Sequence, residues 1–255
     1  MKTFLEIFKT NGQVNNQTQW LIGLVWLVCI FTFWTVSRYS VLPNAPEVAS
    51  AGLMQWQQGA AAELITSFGI SLQSIAIAAV LGSAIAYAST IPVFKLPVEW
   101  FSNFNKLSLS GIIVIFYMAT PNGHALKVSV LVFAIVVFFL SDMLGIIDAI
   151  PQSRYDYART LGLNRWQVLR EVVIRGTLDQ AFEALRVNAA MAWMMLTMVE
   201  GLSRSEGGIG VLLLNLARHQ DLASVFAIQL VILAVGIGQD RLIRLMKHIV
   251  CPYAI

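Results

Sequence analysis

The chain has 255 residues, of which 57% are hydrophobic and 12% are charged, with a formal net charge of +3 at pH 7. This composition is far from that of soluble domains, so we expect lipid as the main solvent of the protein and no nucleic-acid partner. The two cysteines, Cys29 and Cys251, exclude a disulfide framework or a CxxC metal site as the basis of the fold.

Apolar runs long enough to cross a bilayer as helices recur along the whole chain. They cover residues 20–37, 66–89, 107–120, 126–147, 181–200 and 222–246, the third being short. The first run is too long for a signal peptide and lacks a cleavage site, so we interpret it as a retained span. Pro43 and Pro46 precede a short predicted helix at the membrane surface. The sequence therefore predicts an all-α, polytopic membrane protein with about six transmembrane helices in a single domain, residues 1–255.

The distribution of basic residues predicts the orientation of these spans. If both termini are cytoplasmic, the inner segments carry most of the Lys and Arg residues, as the positive-inside rule requires. The inner set is Lys2, Lys9, Lys95, Lys106, Arg154, Arg159, Arg165, Arg170, Arg175, Arg241, Arg244 and Lys247. The outer set is Arg38, Arg204, Arg218 and Lys127.

One polar stretch, about residues 148–180, lies on the cytoplasmic side between the fourth and fifth spans, and we call it the coupling segment. Ser153 with Asp156, and Asn164 with Gln167, have the spacing of capping boxes, and Gly162 lies between them. These signals predict two short helices joined by a glycine bend. The apolar residues of the second helix could rest on anionic lipid or enter a groove on a cytoplasmic partner, and spacing alone leaves both open.

The stretch YDYARTLGLNRWQVLREVVI in this segment resembles the EAA loop of the membrane subunits of ABC importers. Asp156 stands for the Glu of that motif, Tyr157 and Ala158 for its two Ala residues, and Gly162 for its Gly. The similarity is greatest to the branch that imports nitrate, taurine, alkanesulfonates and bicarbonate. LPNAPEV from Leu42, SLQS from Ser71 and VEGLSRSEGGIGVLL from Val199 extend it over most of the chain.

This resemblance implies a permease subunit in the bacterial inner membrane that forms the solute path as a dimer, with a homodimer expected. It also implies two cytoplasmic ATP-binding subunits, an external solute-binding protein and a small anion as solute. The residues that it assigns to ATPase coupling are Asp156, Tyr157, Ala158, Leu161, Gly162 and Trp166. Because no GxxxxGK[ST] phosphate loop occurs, we expect no enzyme activity and no cofactor in this chain, with ATP and Mg²⁺ in the partner subunits.

Polar residues within apolar spans are costly, so they are candidates for the solute path. The candidates are Gln73, Arg186, Asn188, Trp193, Thr197 and Glu200. Arg186, Ala190, Trp193, Thr197 and Glu200 fall near one stripe of the fifth span, which we expect to face the dimer axis. Arg186 could instead snorkel to headgroups, and the amides could simply bond between helices.

Other functional classes fit the sequence less well. An ion-coupled secondary transporter would show more carboxylates within its spans, or broken helices in matched halves. His124, His219 and His248 lack ligand spacing, which disfavours a metal site or an intramembrane enzyme. A permease for an aromatic or nucleobase-like solute remains an alternative, because the third span differs from the pattern of the family.

Overall fold

The computed structural model describes residues 15–36, 43–203 and 207–252, and within these ranges it contains helices and no strands. In chain order the helices are α1 Asn16–Val36, α2 Ala45–Gln55, α3 Ala61–Ala88, α4 Pro92–Ser102, α5 Leu109–Ala119, α6 Gly123–Asp148, α7 Gln152–Thr160, α8 Arg165–Val168, α9 Arg175–Ser203, α10 Ile209–Arg218 and α11 Leu222–Val250. Lys2, Lys9, Arg38 and Arg204, which the orientation argument used, lie outside the described residues.

Each predicted apolar run contains a helix, so the predicted fold class is confirmed. Among the described residues, four helical stretches are long and apolar enough to cross a membrane: Gln17–Thr35, Ala45–Ala88, Gly123–Asp148 and Leu222–Val250. α9, with 29 residues, is long enough to cross a membrane but is more polar than these four stretches. α5, with 11 residues, is shorter than a full span. The second stretch joins α2 and α3 through a π-helical turn that kinks at Gly59, where φ is 105°.

α6 lies at the centre of the bundle, with α3 and α9 packed against it. The face of α3 inside the bundle is a seam of small residues at helical spacing, which lets helix backbones approach closely in a membrane. These buried residues are Ser67, Ser71, Ser74, Ala78, Gly82 and Ala86. A β-carbon at Gly82 would lie 2.6 Å from Phe139 Cδ1, so α3 and α6 could not pack this closely with a larger residue there.

The third span differs from its predicted form. A 3₁₀ turn, Asn103–Lys106, links α4 to α5, so a broken pair of helices replaces one short helix over 107–120. Pro92 favours the start of α4, because proline fits the first turn of a helix. Lys95 and Glu99 interrupt the apolar residues of α4, and hydropathy alone therefore did not reveal that this helix packs against α6.

Candidate coupling surface and translocation path

α7 and α8 are joined by a left-handed bend at Gly162, where φ is 74°. The Gly162 N–H donates to the Arg159 carbonyl at 2.9 Å, and the Leu163 N–H donates to the Ala158 carbonyl at 3.3 Å. This pair of bonds defines the Schellman motif, which closes a helix with a residue of positive φ. The predicted arrangement of two short helices joined by a glycine bend is confirmed.

Only one of the two predicted capping boxes forms. Asn164 Oδ1 accepts from the Gln167 N–H at 2.9 Å, and Gln167 Oε1 accepts from the Asn164 N–H at 2.8 Å, which fixes the start of α8. The box at Ser153 was wrong, because α7 begins at Gln152 with Pro151 as its N-cap, two residues earlier than a Ser153 cap requires. Asp156 instead lies 3.4 Å from Arg159, one helical turn further along.

Three large apolar side chains of the coupling segment are exposed around the bend. Tyr157 is 67% exposed, Leu161 61% and Trp166 71%, whereas Ala158 is buried against the rest of the subunit. Asp156 is also exposed. Of the residues that the sequence assigns to coupling, Asp156, Tyr157, Leu161 and Trp166 are therefore exposed around the bend, and Ala158 is buried.

A cavity of about 890 Å³ lies between the coupling segment and the corner where α3 meets α4. Its walls include Lys95, Tyr155, Arg159 and Trp166. Burial and the nearby charge of Asp148 raise the pKa of Tyr155, so its phenol stays neutral. A smaller groove of about 370 Å³ lies on the other side of α7. Both cavities open beside the projecting residues, so a partner surface could interlock with this region.

The coupling segment continues into α9 without a break. A π-helical turn, Leu169–Ile174, joins α8 to α9, and Val173 within it is buried in the core. Thr177 Oγ1 donates to the Val173 carbonyl at 2.7 Å, and Glu171 pairs with Arg175 at 2.8 Å across the junction. α8 and α9 are therefore joined by continuous helix and by bonds across the junction.

Arg186, a candidate path residue, belongs to an ion-pair network between α9 and α11. Its guanidinium lies 2.5 Å from Asp240 and also bonds to Glu183. Asp240 in turn pairs with Arg244 at 3.0 Å, and Lys247 lies 3.9 Å from Glu183. Two carboxylates thus balance the charge of Arg186 within the subunit.

Asn188 and Trp193 are directed into the helix bundle. Asn188 Nδ2 donates to Asp142 Oδ2 at 2.7 Å, which links α9 to α6. Trp193 Nε1 donates to Gln239 Oε1 at 3.2 Å, and Ser71 donates to the same oxygen at 3.2 Å. Both side chains therefore bond between helices of one subunit.

The remaining candidates divide between the surface and the interior. Gln73 is exposed on α3, and Thr197 is partly exposed and donates to the carbonyls of its own helix. Glu200 is fully buried. The six candidates therefore do not share one surface, and their assignment to a path stays a prediction. The exposed face of α9 runs through Val187, Met191, Met194, Met198 and Leu202.

Comparison with known proteins identifies the family. The model of the binding-protein-dependent transport system inner membrane component matches residues 16–248. The chain belongs to this family. It is therefore a permease component of a transport system and a multi-pass protein of the inner membrane.

Two curated relatives are similar over part of the permease. A putative ABC transporter permease protein of Methanocaldococcus jannaschii is 29% identical over 101 residues, which is 40% of this chain and 38% of the relative. The nitrate import permease protein NrtB of Synechococcus elongatus is 26% identical over 113 residues, 42% of this chain and 39% of the relative. The matches thus span about two fifths of these relatives.

The structure also shows a buried polar cluster that sequence reasoning missed. Side chains of α3 and α9 accept hydrogen bonds from the first backbone N–H groups at the start of α10. Glu63 accepts from Gly208, Ser67 Oγ accepts from Ile209 at 2.8 Å, and Glu200 accepts from Gly210 at 2.8 Å. The positions are up to 145 residues apart, so no local pattern could have indicated this cluster.

Lys127 completes this cluster from α6. Its side chain is fully buried, and Nζ donates to the Gly207 carbonyl at 2.7 Å. The sequence analysis counted Lys127 with the outer basic residues, at the edge of the predicted 126–147 span, and in the structure it lies one turn inside α6. Within the described ranges, no group of three or more His, Cys, Asp or Glu residues could hold a metal ion.

Proposed function

We propose that the permease is the membrane subunit of an ATP-driven importer and forms the solute path together with a second copy of itself. Two cytoplasmic ATPase subunits would bind ATP and Mg²⁺ and dock on the coupling segment, while this chain binds no cofactor. An external binding protein would deliver the solute. The whole chain would be one membrane domain with both termini in the cytoplasm.

The observation that carries this proposal is the shape of the coupling segment. Tyr157, Leu161 and Trp166 are exposed around its glycine bend, and exposed large apolar residues rimmed by polar ones are typical of protein docking sites. The same segment is continuous with α9, so ATPase movement could reach the spans as a rigid-body shift.

The proposed solute is a small anion such as nitrate, a sulfonate such as taurine, or bicarbonate. Support comes from the printed name of the Synechococcus elongatus relative, which is a nitrate import permease. The bonds that Arg186 makes to two carboxylates do not favour it as the anion site.

The decisive experiment replaces Gly162 with Val and with Ala. A β-carbon at φ 74° costs roughly 1 kcal/mol, and more when it is branched, so the bend should open while the spans still insert. We expect weaker co-purification of the ATPase subunit and weaker uptake, with Val worse than Ala. Normal docking and uptake in Gly162→Val would refute the proposal.

Two matched variants control for general effects of substitution. Gly23→Ala places a β-carbon in open space on α1 with ordinary helical φ, so docking should be unchanged. Arg154→Ala removes an exposed charge near the bend and should also have little effect. Loss of membrane insertion in Gly162→Val would assign the glycine a folding role and remove this support for the docking account.

A further inference from the structure

α4 and the 3₁₀ turn carry a continuous row of polar side chains, Lys95, Glu99, Asn103 and Lys106, which we call the polar ladder. Lys95 Nζ lies 3.9 Å from Glu99, Asn103 Nδ2 donates to the Glu99 carbonyl at 3.0 Å, and Lys106 Nζ donates to Asn103 Oδ1 at 2.8 Å. Spacings of four, four and three residues keep these side chains on one side of the helix.

A second exposed face of the same segment is apolar. It consists of Val93, Leu96, Trp100, Phe104 and Leu107, which are between 44% and 77% exposed. Their spacing also follows one helical stripe, rotated away from the polar ladder by roughly 105° at 100° per residue. The third face holds Val98 and Phe101, which pack against the bundle. α4 thus has two exposed faces of opposite polarity.

Contacts with α6 show where α4 and the 3₁₀ turn lie along the length of that helix. Phe101 meets Phe133 with ring centroids 6.0 Å apart, and Asn105 Nδ2 donates to Ser141 Oγ at 3.0 Å. Ser141 precedes the end of α6 at Asp148 by seven residues, a rise of about 10 Å. The Lys106 end of the polar ladder therefore lies beside the C-terminal half of α6, which is the inner half of this span in the predicted orientation.

We infer that the polar ladder lines the inner part of a water-filled solute path, which opens at Lys95 and Glu99 into the cavity beside the coupling segment, while the Val93 to Leu107 face contacts lipid. This inference rests on the proposed function as a permease. Charged side chains and a break between helices are tolerated at membrane depth where they border water or protein. The exposed aromatic and aliphatic residues of the other face suit acyl chains.

Lys106 gives this surface a positive charge. In the described ranges, its ammonium bonds to an amide oxygen and pairs with no carboxylate. By contrast, Lys95 pairs with Glu99, and Arg186 is held by Glu183 and Asp240. Lys106 rather than Arg186 is thus the cation that a small anion meets on entering from or leaving to the cytoplasm.

Pairs of consecutive residues, one on the polar ladder and one on the apolar face, provide the test. In the full-length permease with Cys29→Ser and Cys251→Ala, single cysteines are introduced at Glu99 and Asn103, and at their neighbours Trp100 and Phe104. Inside-out membrane vesicles are treated with a charged, membrane-impermeant methanethiosulfonate. We expect the cysteines of the polar ladder to react at least about tenfold faster than their neighbours, since the reagent travels in water. Equal rates, faster reaction at Trp100 and Phe104, or no reaction at any position would overturn the inference.

A second measurement tests the charge. In the Asn103→Cys variant, the labelling rate with a negatively charged reagent is divided by the labelling rate with a positively charged reagent. Lys106→Gln should lower this ratio by about tenfold, because a unit charge close by acts on the two reagents in opposite directions. The control Lys95→Gln should change it by no more than about twofold, since this residue is two turns away. An unchanged ratio in Lys106→Gln would contradict the role of this residue.

Failure of this inference and failure of the proposed function are distinguishable. Labelling requires neither ATP nor an ATPase subunit, so unreactive cysteines would reject the polar ladder and leave the docking account standing. Normal labelling with no ATPase docking would reject the importer account and leave a water-filled path of another kind.

Discussion

At the scale of single residues, the buried charges around α10 limit how this end of the bundle can be built. Glu200 and Lys127 are both fully buried, and each bonds to a backbone group beside the start of α10. Removing one member of such a cluster leaves the other charges without compensation, which costs more than the pair itself contributes. The cluster therefore holds α10 in place.

Replacement of Lys127 by Met should destabilise the permease by roughly 3 kcal/mol, because the carboxylate of Glu200 loses its nearby cation and Gly207 loses a donor. The measurement is thermal unfolding of the detergent-purified protein. Arg218→Met, at an exposed position, is the control and should leave the midpoint unchanged. Equal midpoints for Lys127→Met and the unmodified protein would show that the cluster does not stabilise the fold.

Replacement of Gly208 by Ala tests the geometry of the same region. Gly208 has φ 112°, and a β-carbon there would overlap the Glu200 carboxylate. We expect a loss of at least about 2 kcal/mol, from backbone strain and displacement of the carboxylate together. Gly69→Ala, in open space on α3, is the control. Retention of full thermal stability in Gly208→Ala would contradict this packing.

At the scale of elements, α9 connects the coupling segment to the rest of the bundle. Its lower half is joined to α11 through Arg186 and Asp240, and its middle is joined to α6 through Asn188 and Asp142. Because these bonds fall on different faces of α9, the helix is tied to both neighbours. A shift of the coupling segment should therefore move these helices together.

A double-mutant cycle with Arg186→Gln and Asp240→Asn measures the link between α9 and α11. Both side chains are 25% exposed, so solvent weakens their attraction, and we expect a coupling energy of about 1 kcal/mol in thermal or denaturant unfolding. The exposed Lys95 and Glu99 pair provides a control cycle with a smaller energy. Additive effects of Arg186→Gln and Asp240→Asn would mean that the network does not join the two helices.

Sequence signals that involve only neighbouring residues predicted part of the coupling segment correctly. The Gly162 bend and the Asn164 cap follow from residues within four positions, and they were found as predicted. The pairing of Arg186 with Asp240 spans 54 positions, and that of Ser67 with Glu200 spans 133. Such contacts depend on how helices pack, so the sequence could name the polar residues but not their partners.

At the scale of the whole molecule, the exposed face of α9 is the surface on which we expect the proposed second copy to pack. Val187, Met191, Met194 and Met198 form an apolar surface one position away from the stripe that the sequence predicted. Methionine packs adaptably, which suits an interface that changes during transport. We therefore expect this face to lie against the second copy or the path between the copies.

A cysteine at Met194, in the background of Cys29→Ser and Cys251→Ala, should form crosslinks between two copies in native membranes. Met194 is 77% exposed and projects from the middle of α9. A cysteine at Leu233, which is 58% exposed on α11, serves as the control and should remain monomeric. Dimers through Leu233 and none through Met194 would place the interface on α11 instead.

The most direct test of the whole account is reconstitution of the permease in proteoliposomes, with and without its ATPase subunit and its solute-binding protein. The account predicts that solute uptake requires ATP and all components, and that the purified permease alone neither hydrolyses ATP nor transports. Solute accumulation by the permease alone, driven by an ion gradient, would contradict it.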